Sequence, residues 1–126
     1  MFIFKNTVLV FSIFLFANMS IAQEYNGPKP DIDQILKNVA NFSKSLMDGN
    51  AEAVVNAYTK DGKIFPDRRD IIEGQEGLFR YWSPPKGRRT SYHKVTPSEL
   101  TVVGDTAYDY GYYEGTTTYD DGQTSK

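Results

Sequence analysis

Two side chains in the last third of the chain have the types that move protons, Asp109 and His93. Asp109 falls in Leu100-Thr-Val-Val-Gly-Asp-Thr-Ala-Tyr-Asp-Tyr-Gly-Tyr-Tyr-Glu-Gly115, where β-branched and aromatic residues flank the turn formers Gly104-Asp105. A two-residue turn there sets Val103 opposite Thr106, Val102 opposite Ala107 and Leu100 opposite Asp109. Alternation then gives one face Leu100, Val102, Ala107, Asp109, Gly111 and Tyr113, and the other Thr101, Val103, Tyr108, Tyr110 and Tyr112. A carboxylate enclosed by such apolar neighbours loses hydration and has a raised pKa, which suits a general base for a carbon-bound proton. A swapped face, or pairing of Asp109 with an arginine or backbone donor, is the plainer alternative. His93 is the only histidine and titrates near neutrality. An unbroken ladder points it with the tyrosines; a one-residue bulge near Pro97 turns it inward. A surface or hydrogen-bonded structural role is the plainer reading of His93.

Around these two, Tyr58, Phe65, Trp82 and Tyr113 are the expected aromatic lining between helices and sheet. Such rings are mostly core, and their polar tips are what a ligand meets. Asp67, in Asp67-Arg-Arg-Asp70, stands in the connection after a first short strand, as a residue at a pocket mouth or in a solvated turn. One histidine and no cysteine argue against a zinc site, which usually takes three or four His, Cys or carboxylate ligands. There is no Gly-x-Gly-x-x-Gly, no phosphate loop, no Gly-x-Ser-x-Gly elbow and no His-Glu-x-x-His, so no cofactor and no serine hydrolysis are expected.

The 126 residues have room for one domain. Residues 1–22 read as a signal peptide: Lys5, a ten-residue run from Val8 to Ala17 broken only by Ser12, and Ser20-Ile-Ala22 as a cleavage site. The run is shorter than the ~20 residues of a membrane span, so export to the periplasm or medium without stable membrane anchoring is expected. A retained N-terminal anchor is the alternative. The formal charge is −2, and losing Lys5 takes it to −3, which argues against nucleic acid as a partner. Lys60–Lys94 holds nine basic and five acidic residues, a surface that suits solvent or an anionic ligand.

Residues 23–30 (QEYNGPKP) read as a flexible linker. Asp31 reads as the N-cap of a helix with Gln34 at the capping-box position and an apolar stripe of Ile32, Ile35, Leu36, Val39, Phe42, Leu46 and Met47, ended by Gly49. Asn50 caps a second helix through Val54, Val55 and Tyr58. Lys63-Ile-Phe65 and Ile71-Ile72 read as short strands, and residues 74–83 as a third helix stopped by Pro84-Pro85. The period then becomes two, giving long strands over 90–103 and 106–119 and a second turn at Asp120-Asp-Gly122. The order α-α-β-β-α-β-β is that of an α+β domain with an antiparallel sheet wrapped around helices.

Three blocks carry a family resemblance. Residues 46–62 (LMDGNAEAVVNAYTKDG) form a helix–turn–helix opening, residues 72–82 (IEGQEGLFRYW) a glycine-led third helix, and residues 103–111 (VGDTAYDYG) a hairpin. In this order they resemble the nuclear transport factor 2-like superfamily, in its SnoaL-like and domain-of-unknown-function 4440 branch, across 31–126. The resemblance implies a cone whose bent sheet and helices enclose a pocket, in a group that includes ketosteroid isomerases, polyketide cyclases, dehydratases and binding proteins. It also implies frequent dimers through the convex sheet face, here Tyr108, Tyr110 and Tyr112. Such domains continue with two further long strands after the Asp-Gly turn; the chain departs from that pattern and reads as C-terminally incomplete, with a half-walled pocket. The resulting expectation is an exported domain binding a small, largely apolar or weakly anionic ligand. The alternatives are a cofactor-independent isomerase or cyclase with Asp109 as base, and a dimerisation module.

Overall fold

The computed structural model describes residues 23–126, so the expected signal peptide lies outside the described residues. Its elements are β1 (Glu24–Asn26), α1 (Lys29–Met47), α2 (Ala51–Val55), β2 (Lys63–Ile64), β3 (Ile72–Glu73), α3 (Gly74–Trp82), β4 (Arg88–Val103), β5 (Thr106–Tyr119) and β6 (Thr124–Ser125). This is an α+β domain in which a curved, open sheet of order β1-β4-β5-β6 packs on helices, beside the two-stranded pair β2-β3.

The linker expected over 23–30 holds structure. Glu24–Asn26 pairs parallel with Glu99–Thr101, and the Gln23 amide donates to the Pro97 carbonyl at 3.4 Å. α1 starts two residues before the expected cap: Pro28 is the N-cap and Pro30 lies in the first turn, where a missing N–H costs nothing. Asp31 therefore sits inside the first turn, where its charge still suits the helix dipole. Gly49, with φ +69°, terminates α1 as expected. Asn50 caps α2, its Oδ1 accepting from the Ala53 N–H at 3.0 Å. α2 is only five residues long, so Tyr58 lies in the turn beyond it.

β4 and β5 form the hairpin about Gly104-Asp105, with Val103 opposite Thr106 and Leu100 opposite Asp109 as expected. The ladder shifts register twice, between Thr90 and Tyr92 and between Pro97 and Glu99, leaving Ser91 and Ser98 as bulge residues. Pro97 has no N–H to give the ladder, and Gly111 opposite it lets the backbones close in. A Cβ at Gly111 would sit 2.2 Å from the Thr96 carbonyl oxygen.

Val54, Leu78 and Leu100 are fully buried, with Ile32, Ala51 and Val55 nearly so. α1 packs on β4, and α2 packs on α1 and α3, so the core lies between the helices and the β4 half of the sheet. Among the described residues β5 has no comparable helix over it. β6 pairs with Thr117 and Thr118 alone, so among the described residues the outer edge of β5 from Thr106 to Thr116 has no partner strand.

Candidate functional site

The concave face of β4 is set by the Ser98 bulge. Leu100 points to the core; adding one residue at the bulge brings Pro97, Val95 and His93 to that same face. His93 accordingly meets α1. Its Nδ1 lies 3.0 Å from the Ser43 Oγ, and its ring is 6.2 Å from that of Phe42. Ser43 is 6% exposed.

From His93 a run of rings extends both ways. Phe42 is edge-on to Trp82 at 5.6 Å and to Tyr58 at 6.1 Å, joining α1, α3 and the turn after α2. On the sheet, Tyr113 of β5 stacks on His93 with centroids 6.1 Å apart and planes inclined by 24°. Burial raises the Tyr58 pKa, an effect the Trp82 N–H opposes. That indole nitrogen is buried and has no partner of good hydrogen-bond geometry among the described residues.

Beside the His93–Tyr113 pair lies an open groove of about 750 Å³. Thr90, His93, Tyr113, Glu114, Gly115 and Lys126 are among its lining residues. Gly115 stands directly opposite His93, and a Cβ there would meet only the Tyr92 carbonyl oxygen at 3.9 Å. The floor beside the imidazole is therefore open. A smaller cleft of about 330 Å³ lies between α2 and α3, lined among others by Glu52, Val55, Glu76 and Phe79.

Of the residues singled out in the sequence, Tyr58, Trp82 and His93 meet around Phe42. Tyr113 touches His93 alone and is 77% exposed on β5, so it stands at the open groove and not between helices and sheet. Three do not join them. Asp109 lies opposite Leu100 on the concave face, yet it is exposed, because no helix among the described residues packs on β5 there. It is not the enclosed carboxylate that the alternation suggested. Phe65 follows the end of β2 and is 74% exposed. Asp67 is exposed in the following loop, with its carboxylate 3.4 Å from Arg68. Two residues were missed, Phe42 and Ser43. Ser43 carried a readable signal: it occupies the stripe position four residues after Val39, where an apolar side chain belongs. No group of three or more metal-binding side chains occurs among the described residues.

Burial lowers the pKa of His93 below 6.5. The folded value is thus below the unfolded one, and as pH falls the unfolded chain takes up the proton first. The contribution of neutral His93 to stability is complete above about pH 6.5 and is lost as pH falls toward the folded value. Thermal melts at about pH 7.5 and about pH 5.5 are expected to show a drop that His93→Gln reduces. An unchanged drop would assign the loss to other groups.

No family model and no curated protein matches this sequence. Solved structures do. A ketosteroid isomerase-like protein of Erwinia carotovora atroseptica SCRI1043 aligns with a TM-score of 0.63 at 18% identity, covering 78% of this chain and 77% of that one. A protein of Catenulispora acidiphila aligns with a TM-score of 0.62 at 19% identity, over 77% and 73% of the two chains. A Catenulispora acidiphila structure in complex with S-DNPA gives 0.61 at 20% identity, over 79% and 76%. The chain therefore has the nuclear transport factor 2-like fold that the three blocks implied, and shares it with a ketosteroid isomerase-like protein.

Proposed function

We propose that this chain is a SnoaL-like binding domain that takes a small, largely apolar or weakly anionic ligand in the groove beside His93 and Tyr113. The observation that carries the reading is the stacked His93–Tyr113 pair above an open Gly115, continuous with the Phe42, Tyr58 and Trp82 rings. A groove of about 750 Å³ falls within the roughly 300–1,000 Å³ of small-molecule sites. The Catenulispora acidiphila relative in complex with S-DNPA supports a ligand on this fold. Asp109, being exposed, gives an isomerase reading no desolvated base. The test is a titration with a flat apolar probe, 2-acetylnaphthalene, followed by calorimetry and by the emission of Trp82, the single tryptophan. Saturable binding weakened by His93→Ala and Tyr113→Ala is expected. Binding that both variants leave unchanged sinks the reading.

The outer face favours a second property. Tyr108, Tyr110 and Tyr112 are 67%, 65% and 65% exposed in a row, and Glu99 lies opposite Tyr110, raising its pKa through a hydrogen bond. Such a face suits a homodimer. Light scattering over a concentration series that finds only monomer removes it. Export with cleavage near Ala22 belongs to the same proposal and rests on residues 1–22; the mass of the secreted chain checks for Gln23 as its first residue.

A further inference from the structure

The Ser43 hydroxyl has one proton and, among the described residues, meets one acceptor. Ser43 is 6% exposed, and its contact is the His93 Nδ1 at 3.0 Å. Two arrangements satisfy that distance. If Nδ1–H donates to Oγ, the buried hydroxyl proton is left without a partner. If the hydroxyl donates to Nδ1, no donor is orphaned and only a spare oxygen lone pair goes unused. Leaving a buried donor unmet is the costly alternative, so the second arrangement wins. Nδ1 is then the acceptor nitrogen, and the proton of the neutral imidazole resides on Nε2. His93 lines the groove, Tyr113 stacks on its ring, and Gly115 opposite leaves open space.

We propose that Ser43 is a positioning residue: its hydroxyl fixes the Nε2–H tautomer of His93, and the groove thereby offers one directed N–H donor to an acceptor oxygen on a flat, largely apolar ligand. The proposal rests on the small-molecule reading of the groove above. Burial lowers the His93 pKa and keeps the ring neutral, so it acts as a donor rather than as a cation at neutral pH. Glu114 at the same groove disfavours a second negative charge, and Lys126 offsets it, which suits a neutral carbonyl oxygen better than a dianion. A positioning serine on a helix and a ring on a strand also explain why the polar Ser43 interrupts the apolar face of α1.

The experiment uses the single histidine as its own reporter. Nitrogen-15 NMR of the unliganded wild-type chain is expected to show an acceptor-type Nδ1 and a protonated Nε2. 2-Acetylnaphthalene is expected to bind roughly tenfold tighter than 2-isopropenylnaphthalene, which has the same shape and no acceptor oxygen. Ser43→Ala is expected to mix the tautomers and remove most of that preference, whereas Ser43→Thr, which keeps the hydroxyl, retains both. If Ser43→Ala fails to fold, the wild-type tautomer and the threonine variant decide. A wild-type chain protonated at Nδ1 overturns the proposal. Equal affinity for the two probes overturns it too, while leaving the groove as a binding site; binding of neither overturns both.

Discussion

Gly111→Ala is expected to be the most damaging single substitution in the sheet. The new methyl carbon would lie 2.2 Å from the Thr96 carbonyl oxygen and 2.8 Å from both the Pro97 Cα and the Ser98 nitrogen. All three are backbone atoms of the facing strand, so no rotamer change relieves the contact. Ordinary overpacking costs about 1–3 kcal/mol because side chains move; here the bulge itself must move, and about 3 kcal/mol or more is expected. Against a total stability of about 5–15 kcal/mol this lowers the midpoint by at least about 10 °C or abolishes cooperative unfolding. The damage reaches the site, because the same bulge turns His93 toward Ser43. Thermal denaturation and the His93 nitrogen spectrum read both effects. A variant that melts with wild-type behaviour would place the bulge elsewhere.

Leu100→Ala is expected to cost about 2–5 kcal/mol, because Leu100 is 0% exposed and its cavity would be walled by helices and sheet that cannot collapse fully. Its neighbour across the ladder supplies the control. Asp109 faces the same side from β5 and is exposed, so Asp109→Ala is expected to change stability by no more than about 0.5 kcal/mol. Urea unfolding of the two variants separates a face that is covered at β4 from the same face left bare at β5. Equal and large losses would show that something covers Asp109 in solution.

That pair marks how far the sequence can be read. Leu100 and Asp109 share a face by alternation and by the two-residue turn, both local facts, and the ladder has that register. Alternation assigns a face but says nothing of what lies over it. Cover comes from α1, which packs on β4, so the leucine is buried and the carboxylate is not. His93 was half legible: Pro97 signals a break in the ladder, but only the facing Gly111 locates the extra residue at Ser98. Phe65 failed because β2 ends at Ile64, one residue before the ring. Phe42 was placed in the stripe of α1, but its contacts with Tyr58, Trp82 and His93 come from three other segments.

β1 was missed for a related reason, and its distance in sequence has a consequence for the order in which the sheet assembles. β4 and β5 meet across a two-residue turn, so bringing them together costs little chain entropy. β1 reaches β4 across most of the domain: Gln23 and Pro97, hydrogen-bonded to each other, are 74 positions apart. Closing that span before the helices have folded is entropically expensive, and the reward is three paired residues. The hairpin is thus expected to form first and β1 to add late, once α1 has shortened the path. Amides of 24–26 should exchange with solvent well before those around Leu100, and the chain should open from its beginning while the hairpin holds.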